Sequence, residues 1–130
     1  MAVPHTLVCV IDDDEMVREF VCGVLQRAGF ATVQACDGKA GLAEAANSKP
    51  SIVVTDILME RCDGLETISA LRQSLPEVRI LAMSGGGWTG SNDLLYLAAQ
   101  LGADDCIAKP FRPAELVGKI ETLASVRRRE

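Results

Sequence analysis

What most constrains this chain is an alternation of two kinds of segment. Leu7-Val8-Cys9-Val10-Ile11 is apolar at every position, the pattern of a strand covered on both faces. Met16, Val17, Phe20, Val21, Val24 and Leu25 then recur at helical spacing and read as one core-facing stripe, with Gly29 as a stop. Ala31 to Ala35 is a second, more polar strand, followed by an alanine-rich helix (Leu42, Ala45, Ala46) that closes before Pro50. Ile52-Val53-Val54-Thr55 is a third strand, and Leu65, Ile68, Leu71 and Leu75 mark a helix ended by Pro76. Val78 to Met83 is a fourth strand, followed by a helix carrying Leu94, Leu97, Ala98 and Leu101 with Gly102 after it. Cys106-Ile107-Ala108 is a short fifth strand, and Pro113 opens a last helix with the stripe Leu116, Val117, Ile120 and Leu123. Five β-then-α units predict an α/β fold, a five-stranded parallel sheet with helices on both faces. The first, third and fourth strands are the most apolar and belong in the centre. The order 2-1-3-4-5 satisfies this with the polar second strand at an edge.

A length of 130 residues predicts a single domain over 1–130, its core at about 5–126. Thirteen Lys and Arg against eighteen Asp and Glu leave a net charge of −5, which argues against direct nucleic-acid binding. Five cysteines stand without a CxxC pair and read as reduced thiols of a cytoplasmic protein. The first apolar run stops at once on three aspartates, so neither a membrane span nor a signal peptide is expected. The terminal Arg127-Arg128-Arg129 reads as a solvated helix end.

The polar residues gather where strands end. The first strand runs into Asp12-Asp13-Asp14, the third into Asp56, the fourth into Ser84 and the fifth into Lys109-Pro110. Ligands of open parallel sheets bind at those carboxyl ends, beside the point where strand order reverses. Clustered carboxylates repel unless a cation joins them, and Mg²⁺ suits few carboxylates and several waters. A lysine ammonium and a hydroxyl facing the same point suit a transferred phosphoryl group, with Asp56 as the accepting nucleophile. Each residue alone has a plainer reading. An aspartate triplet is also a helix N-cap, Asp56 a turn residue, Ser84 a loop hydroxyl and Lys109 a surface charge. Their convergence on one edge of the sheet favours a site. The sole histidine, His5, precedes the first strand, so no Ser-His or Cys-His pair is placed for catalysis, and no Cys/His spacing suggests zinc.

These residues also carry a resemblance. Val10-Ile11-Asp12-Asp13-Asp14, Val53-Val54-Thr55-Asp56-Ile57-Leu58-Met59 with Asp63-Gly64, Met83-Ser84-Gly85 and Lys109-Pro110-Phe111 together resemble the receiver domain of two-component response regulators, over essentially the whole chain. The resemblance implies a phosphoacceptor signalling module rather than a general turnover enzyme. In it, a sensor histidine kinase or histidine phosphotransfer protein phosphorylates Asp56. It further implies that Asp13 binds Mg²⁺ directly and Asp12 through water, with the backbone carbonyl of Leu58 completing the protein's ligands. Ser84 would be the switch hydroxyl, Lys109 the phosphate partner, and Lys109-Pro110 a cis peptide. The implied output is contact with an unknown downstream protein, with homodimer formation left open.

The chain departs from the family pattern at several points. Cys106 stands where an aromatic relay residue is frequent, so the usual signal through the fourth and fifth helices is in question. Gly85-Gly86-Gly87-Trp88-Thr89-Gly90 is longer than usual, and Trp88 is a candidate either for that relay or for anchoring a partner. Its glycines spell G-x-G-x-x-G on the wrong β-α unit for a dinucleotide site. Glu60 replaces a frequent proline. Apolar Leu58 holds no water for attack and predicts a long-lived phosphoryl group, whereas small Gly85 leaves the site open to water. Met1 and the Arg129-Glu130 end favour a stand-alone protein over an excised domain. Two rival readings are a receiver-like module that works without phosphorylation, and a small Mg²⁺-dependent phosphohydrolase with Asp12 and Asp14 as a D-x-D motif.

Overall fold

The computed structural model describes residues 6–57, 64–85 and 91–125. Five strands, β1 (Leu7–Ile11), β2 (Ala31–Ala35), β3 (Ile52–Asp56), β4 (Arg79–Ser84) and β5 (Asp105–Ala108), form one parallel sheet in the order β2-β1-β3-β4-β5. They alternate with α1 (Glu15–Arg27), α2 (Gly38–Ser48), α3 (Gly64–Ser74), α4 (Ser91–Leu101) and α5 (Pro113–Ser125). This is the expected order, with β4 shifted by one residue and β5 starting one residue early.

The unbroken apolar strands are explained by two cores. Val8, Val10, Ile52, Val54, Leu81 and Met83 point to one face, where α1 and α5 add Val21, Leu25, Leu116 and Ile120. Cys9, Ile11, Val53, Ile80 and Ala82 point to the other, against Ala45, Ile68, Leu71 and Ala98 from α2, α3 and α4. Successive strand residues face opposite ways, so a strand covered twice must be apolar throughout. Each large apolar side chain buried this way contributes roughly 1.5–3 kcal/mol.

Local signals set the helix ends. The Asp14 carboxylate caps α1 by accepting from the Met16 and Val17 amides, and Asp37 caps α2 through the Ala40 amide. Lys49, in the left-handed region at φ 51°, closes α2 ahead of Pro50. Two apolar stripes are narrower than their periodicity suggests. Met16 and Phe20 belong to the expected stripe of α1 but are exposed, 81% and 45%. They sit in the first turns of α1, just after β1 has ended, with less sheet beneath them than Val21 and Leu25. On α4, Ala98 is buried while Leu97 and Leu101 stay partly exposed.

Arg72 ties α3 to the start of β4 and to the α4–β5 turn. Its guanidinium donates to the carbonyls of Pro76, Val78 and Gly102 and to the Asp104 carboxylate at 2.9 Å, and that carboxylate also accepts from the Ile80 amide. Gly102 lies at φ +130°, and a Cβ there would stand 3.0 Å from the Arg72 stem. Arg72→Met should therefore cost about 3 kcal/mol in urea unfolding, because it strands several carbonyls and one carboxylate. The double variant with Asp104→Asn should lose less than the sum of the two single changes. A loss below about 0.5 kcal/mol, the ordinary range for surface changes, would contradict this role.

Candidate functional site

The last residues of β3 and β4, Asp56 and Ser84, and the loops after β1 and β5, with Asp12, Asp13 and Lys109, meet at the carboxyl edge of the sheet, next to the β1–β3 boundary where strand order reverses. Asp12 is fully buried and held from several sides. Its amide donates to the Ala35 carbonyl, its Oδ1 accepts from the Asp14 amide at 2.9 Å, and its carbonyl accepts from Arg18 Nη1 at 2.8 Å. Arg18 Nε in turn donates to the Gln34 side chain at the end of β2. The aspartate triplet thus divides its work: Asp14 caps the helix, while Asp12 and Asp13 join the site.

Lys109 Nζ lies 3.2 Å from both Asp12 Oδ2 and Asp56 Oδ2. Burial by itself would depress the lysine pKa. The Asp56 and Asp12 carboxylates outweigh that and hold it above its ordinary value, so the ammonium stays charged. One backbone bond links two of the positions, from the Lys109 amide to the Ser84 carbonyl at 2.8 Å, and Ser84 is itself buried. The Lys109-Pro110 peptide is cis, as the resemblance implied.

Carboxylate oxygens of Asp12, Asp13 and Asp56 all lie within 4.8 Å of one another. Among the described residues, three carboxylates against one ammonium leave a surplus of two negative charges in a set of oxygen donors. That donor set fits a hard divalent cation. Gly64 begins α3 against this edge. Its amide donates to the Ile57 carbonyl, and a Cβ there would stand 2.5 Å from that oxygen and closer still to the Asp56 carbonyl. Only glycine fits. At Gly85, by contrast, a Cβ would meet no atom of the described residues within 4 Å.

Cys106 is half-buried against the second core, and burial pushes its thiol pKa up, so it behaves as a small protonated apolar side chain. Leu58, Glu60 and Trp88, with the Gly86 to Gly90 segment, lie outside the described residues. Sequence reasoning missed Arg18, whose partners only the fold reveals, and the aromatic pair Phe20–Phe111, whose ring centroids are 6.2 Å apart.

If the carboxylates repel one another, Asp13→Asn should raise the unfolding free energy in EDTA by about 1 kcal/mol, a figure reduced for the exposure of Asp13. The same change should abolish most of the stabilisation that Mg²⁺ gives the wild type. Urea unfolding with and without Mg²⁺ measures both effects, and destabilisation in EDTA would contradict the repulsion.

Comparison with known proteins agrees with this geometry. The family model of the response regulator receiver domain matches residues 8–121. The chain is 31% identical over 116 residues to the alkaline phosphatase synthesis transcriptional regulatory protein PhoP of Bacillus subtilis, covering 89% of this chain and 47% of that protein. It is 36% identical over 118 residues to the response regulator MprA of a Mycobacterium species (strain KMS), covering 89% and 49%. The chain therefore spans about half the length of the curated relatives it matches. The receiver domain of NtrX from Brucella abortus superposes with a TM-score of 0.86 at 30% identity, covering 92% of this chain and 98% of that one. The chemotaxis protein CheY4 of Vibrio cholerae does so at 0.83 and 25% identity, with the same coverage. Receiver domains of response regulators interact with histidine kinases and in general bind Mg²⁺. By sequence, topology and the placing of its acidic edge, this chain belongs to the response regulator receiver domain family, the phosphoacceptor signalling modules of two-component systems.

Proposed function

We propose that Asp56 is the phosphoacceptor and that a phosphohistidine on a sensor kinase or phosphotransfer protein is the donor. The observation that carries this reading is the Lys109 ammonium shared between Asp56 and Asp12, with Asp13 beside them. An Asp56 carboxylate oxygen attacks phosphorus, the phosphorus–nitrogen bond to the donor imidazole breaks, and an acyl phosphate forms on Asp56. Lys109 then leaves the carboxylates for a phosphoryl oxygen, and the Ser84 hydroxyl donates to another. Asp13 with Asp12, Asp56 and the Leu58 carbonyl would hold Mg²⁺, which when bound supplies positive charge against the carboxylates and the incoming phosphoryl oxygens. The open space at Gly85 admits water to the product, while apolar Leu58 offers no group to hold it.

The donor's docking surface adjoins the site. Val17, Phe20, Lys109, Pro110 and Phe111 line a cavity of about 340 Å³, and exposed Met16 extends the apolar area along α1. An apolar patch of this kind beside a reacting carboxylate fits a partner helix that carries the phosphohistidine. Exposed Tyr96 and half-exposed Leu97 on α4 supply a second apolar surface, for the downstream protein or a second copy. With Cys106 in place of an aromatic relay residue, the message to that surface passes through Ser84 and the segment after it, where Trp88 stands. Residues 1–130 are read as one domain acting in the cytoplasm. The four described cysteines are free, in keeping with a reducing compartment.

Intact-protein mass spectrometry after incubation with a small phosphodonor and Mg²⁺ tests the acceptor. Wild type should gain one phosphoryl group, and Asp56→Ala or omission of Mg²⁺ should abolish it. No adduct with any donor would instead support a module that works without phosphorylation, and steady turnover of small phosphate esters would support a phosphohydrolase. Phe20→Asp should cut transfer from a phosphohistidine protein at least tenfold and leave labelling by the small donor unchanged. Equal loss with both donors would place Phe20 in the chemistry rather than in docking.

A further inference from the structure

Arg79 opens β4 at the end of the sheet opposite the acidic edge. Among the described residues, its Nε is the one buried side-chain nitrogen or oxygen without a hydrogen-bond partner. A buried donor left unpaired costs roughly 1–3 kcal/mol, and more on a charged group, so folded proteins keep few of them. Three backbone carbonyls near it are already engaged. Arg72 takes the Pro76 and Val78 carbonyls, and the Arg79 amide takes the Ser51 carbonyl. The ion pairs among the described residues involve Arg72, Lys109 and Lys119, and neither Arg79 nor Lys49.

The orphaned group borders a concavity. Arg79, Lys49, Ser51 and Glu77 line a cavity of about 520 Å³ whose apolar wall includes Pro50, Leu75 and Pro76. Two cations against one carboxylate make this a net positive hollow on a chain of charge −5. Lys49 occupies it from a left-handed backbone position at φ 51°, where glycine or asparagine would close α2 at less conformational cost.

We propose that this cavity binds a small oxyanion, a phosphate monoester or a carboxylate carried on an apolar body. The guanidinium of Arg79 supplies charge-assisted donors in a planar fork, Lys49 adds a second charge, and the proline and leucine wall packs against the body. A volume of about 520 Å³ lies in the range of small-molecule pockets. The site is separate from the phosphoacceptor: β3 runs from beside it to Asp56, roughly 16 Å along a five-residue strand.

The test follows the Arg79 side-chain Nε–H and the backbone amides of Lys49 and Ser51 in ¹H–¹⁵N spectra of the metal-free protein. Phenyl phosphate, benzoate and inorganic phosphate are titrated separately. A saturating shift of all three signals with phenyl phosphate or with benzoate is expected, and the better of the two identifies the oxyanion. Inorganic phosphate, which leaves the apolar wall unused, should bind at least tenfold more weakly. Arg79→Gln and the surface change Lys49→Gln should each weaken binding at least tenfold while leaving phosphorylation at Asp56 unchanged. No saturable shift with any probe would mean that the Arg79 donor is merely hydrated and would overturn the proposal. So would undiminished binding in both variants.

Discussion

A single lysine ammonium in contact with two carboxylates is the interaction on which the rest of this structure depends. Lys109 leaves the edge strand β5 and reaches past β4 to Asp56 and Asp12, which end β3 and begin the loop after β1. Without it the buried Asp12 side chain would have no cationic partner among the described residues, and without the carboxylates burial would pull the lysine pKa below its ordinary value. The balance is deliberately incomplete in its charges. Among the described residues three carboxylates and one ammonium leave room for added positive charge, and in the proposed mechanism a phosphoryl group on Asp56 would give Lys109 a stronger anion to follow.

In the proposed function the surroundings would turn that small displacement into something another protein can read. Ser84 is joined to Lys109 through a backbone hydrogen bond, so the two groups proposed to face the phosphate stand side by side at the ends of adjoining strands. Pro110 and Phe111 follow Lys109 directly, and Phe111 packs against the α1–α5 core and against Phe20. A partner seated on the apolar patch of α1 would therefore touch residues one and two positions from the lysine proposed to bind the phosphate. The small Cys106 fills no comparable role on the other side of the sheet. In the proposed function chemistry and donor recognition share the carboxyl edge, while the positive hollow around Arg79 lies at the opposite end of the sheet.

Much of this was legible in the residues. Strand order followed from which runs were apolar throughout, because only strands covered on both faces can be so. Asp12, Asp13, Asp56, Ser84 and Lys109 stood out because each falls just where a strand gives way to a loop. Other features were hidden for definite reasons. Periodicity marks the face of a helix but not how far the sheet extends beneath it, so Met16 and Phe20 looked like core and are exposed. Arg72 carries the pattern of a solvated charge, yet its acceptors include the carbonyl of Gly102, distant in sequence and brought near only by folding. The requirement for glycine at position 64 comes from the backbone of Asp56 and Ile57, which no local pattern announces. The division of the aspartate triplet into a cap and two site residues follows from where α1 starts, at Glu15, which leaves Asp14 as the capping residue.

The proposed exchange of partners at Lys109 is tested most directly by its side-chain ¹H–¹⁵N signal, recorded with Mg²⁺ before and after full phosphorylation by a small donor. If the ammonium exchanges the Asp12–Asp56 carboxylates for a phosphoryl oxygen, its signal should move and become more protected from solvent exchange in the wild type, and stay fixed in Asp56→Ala. A fully phosphorylated protein whose Lys109 signal has not moved would contradict the central claim.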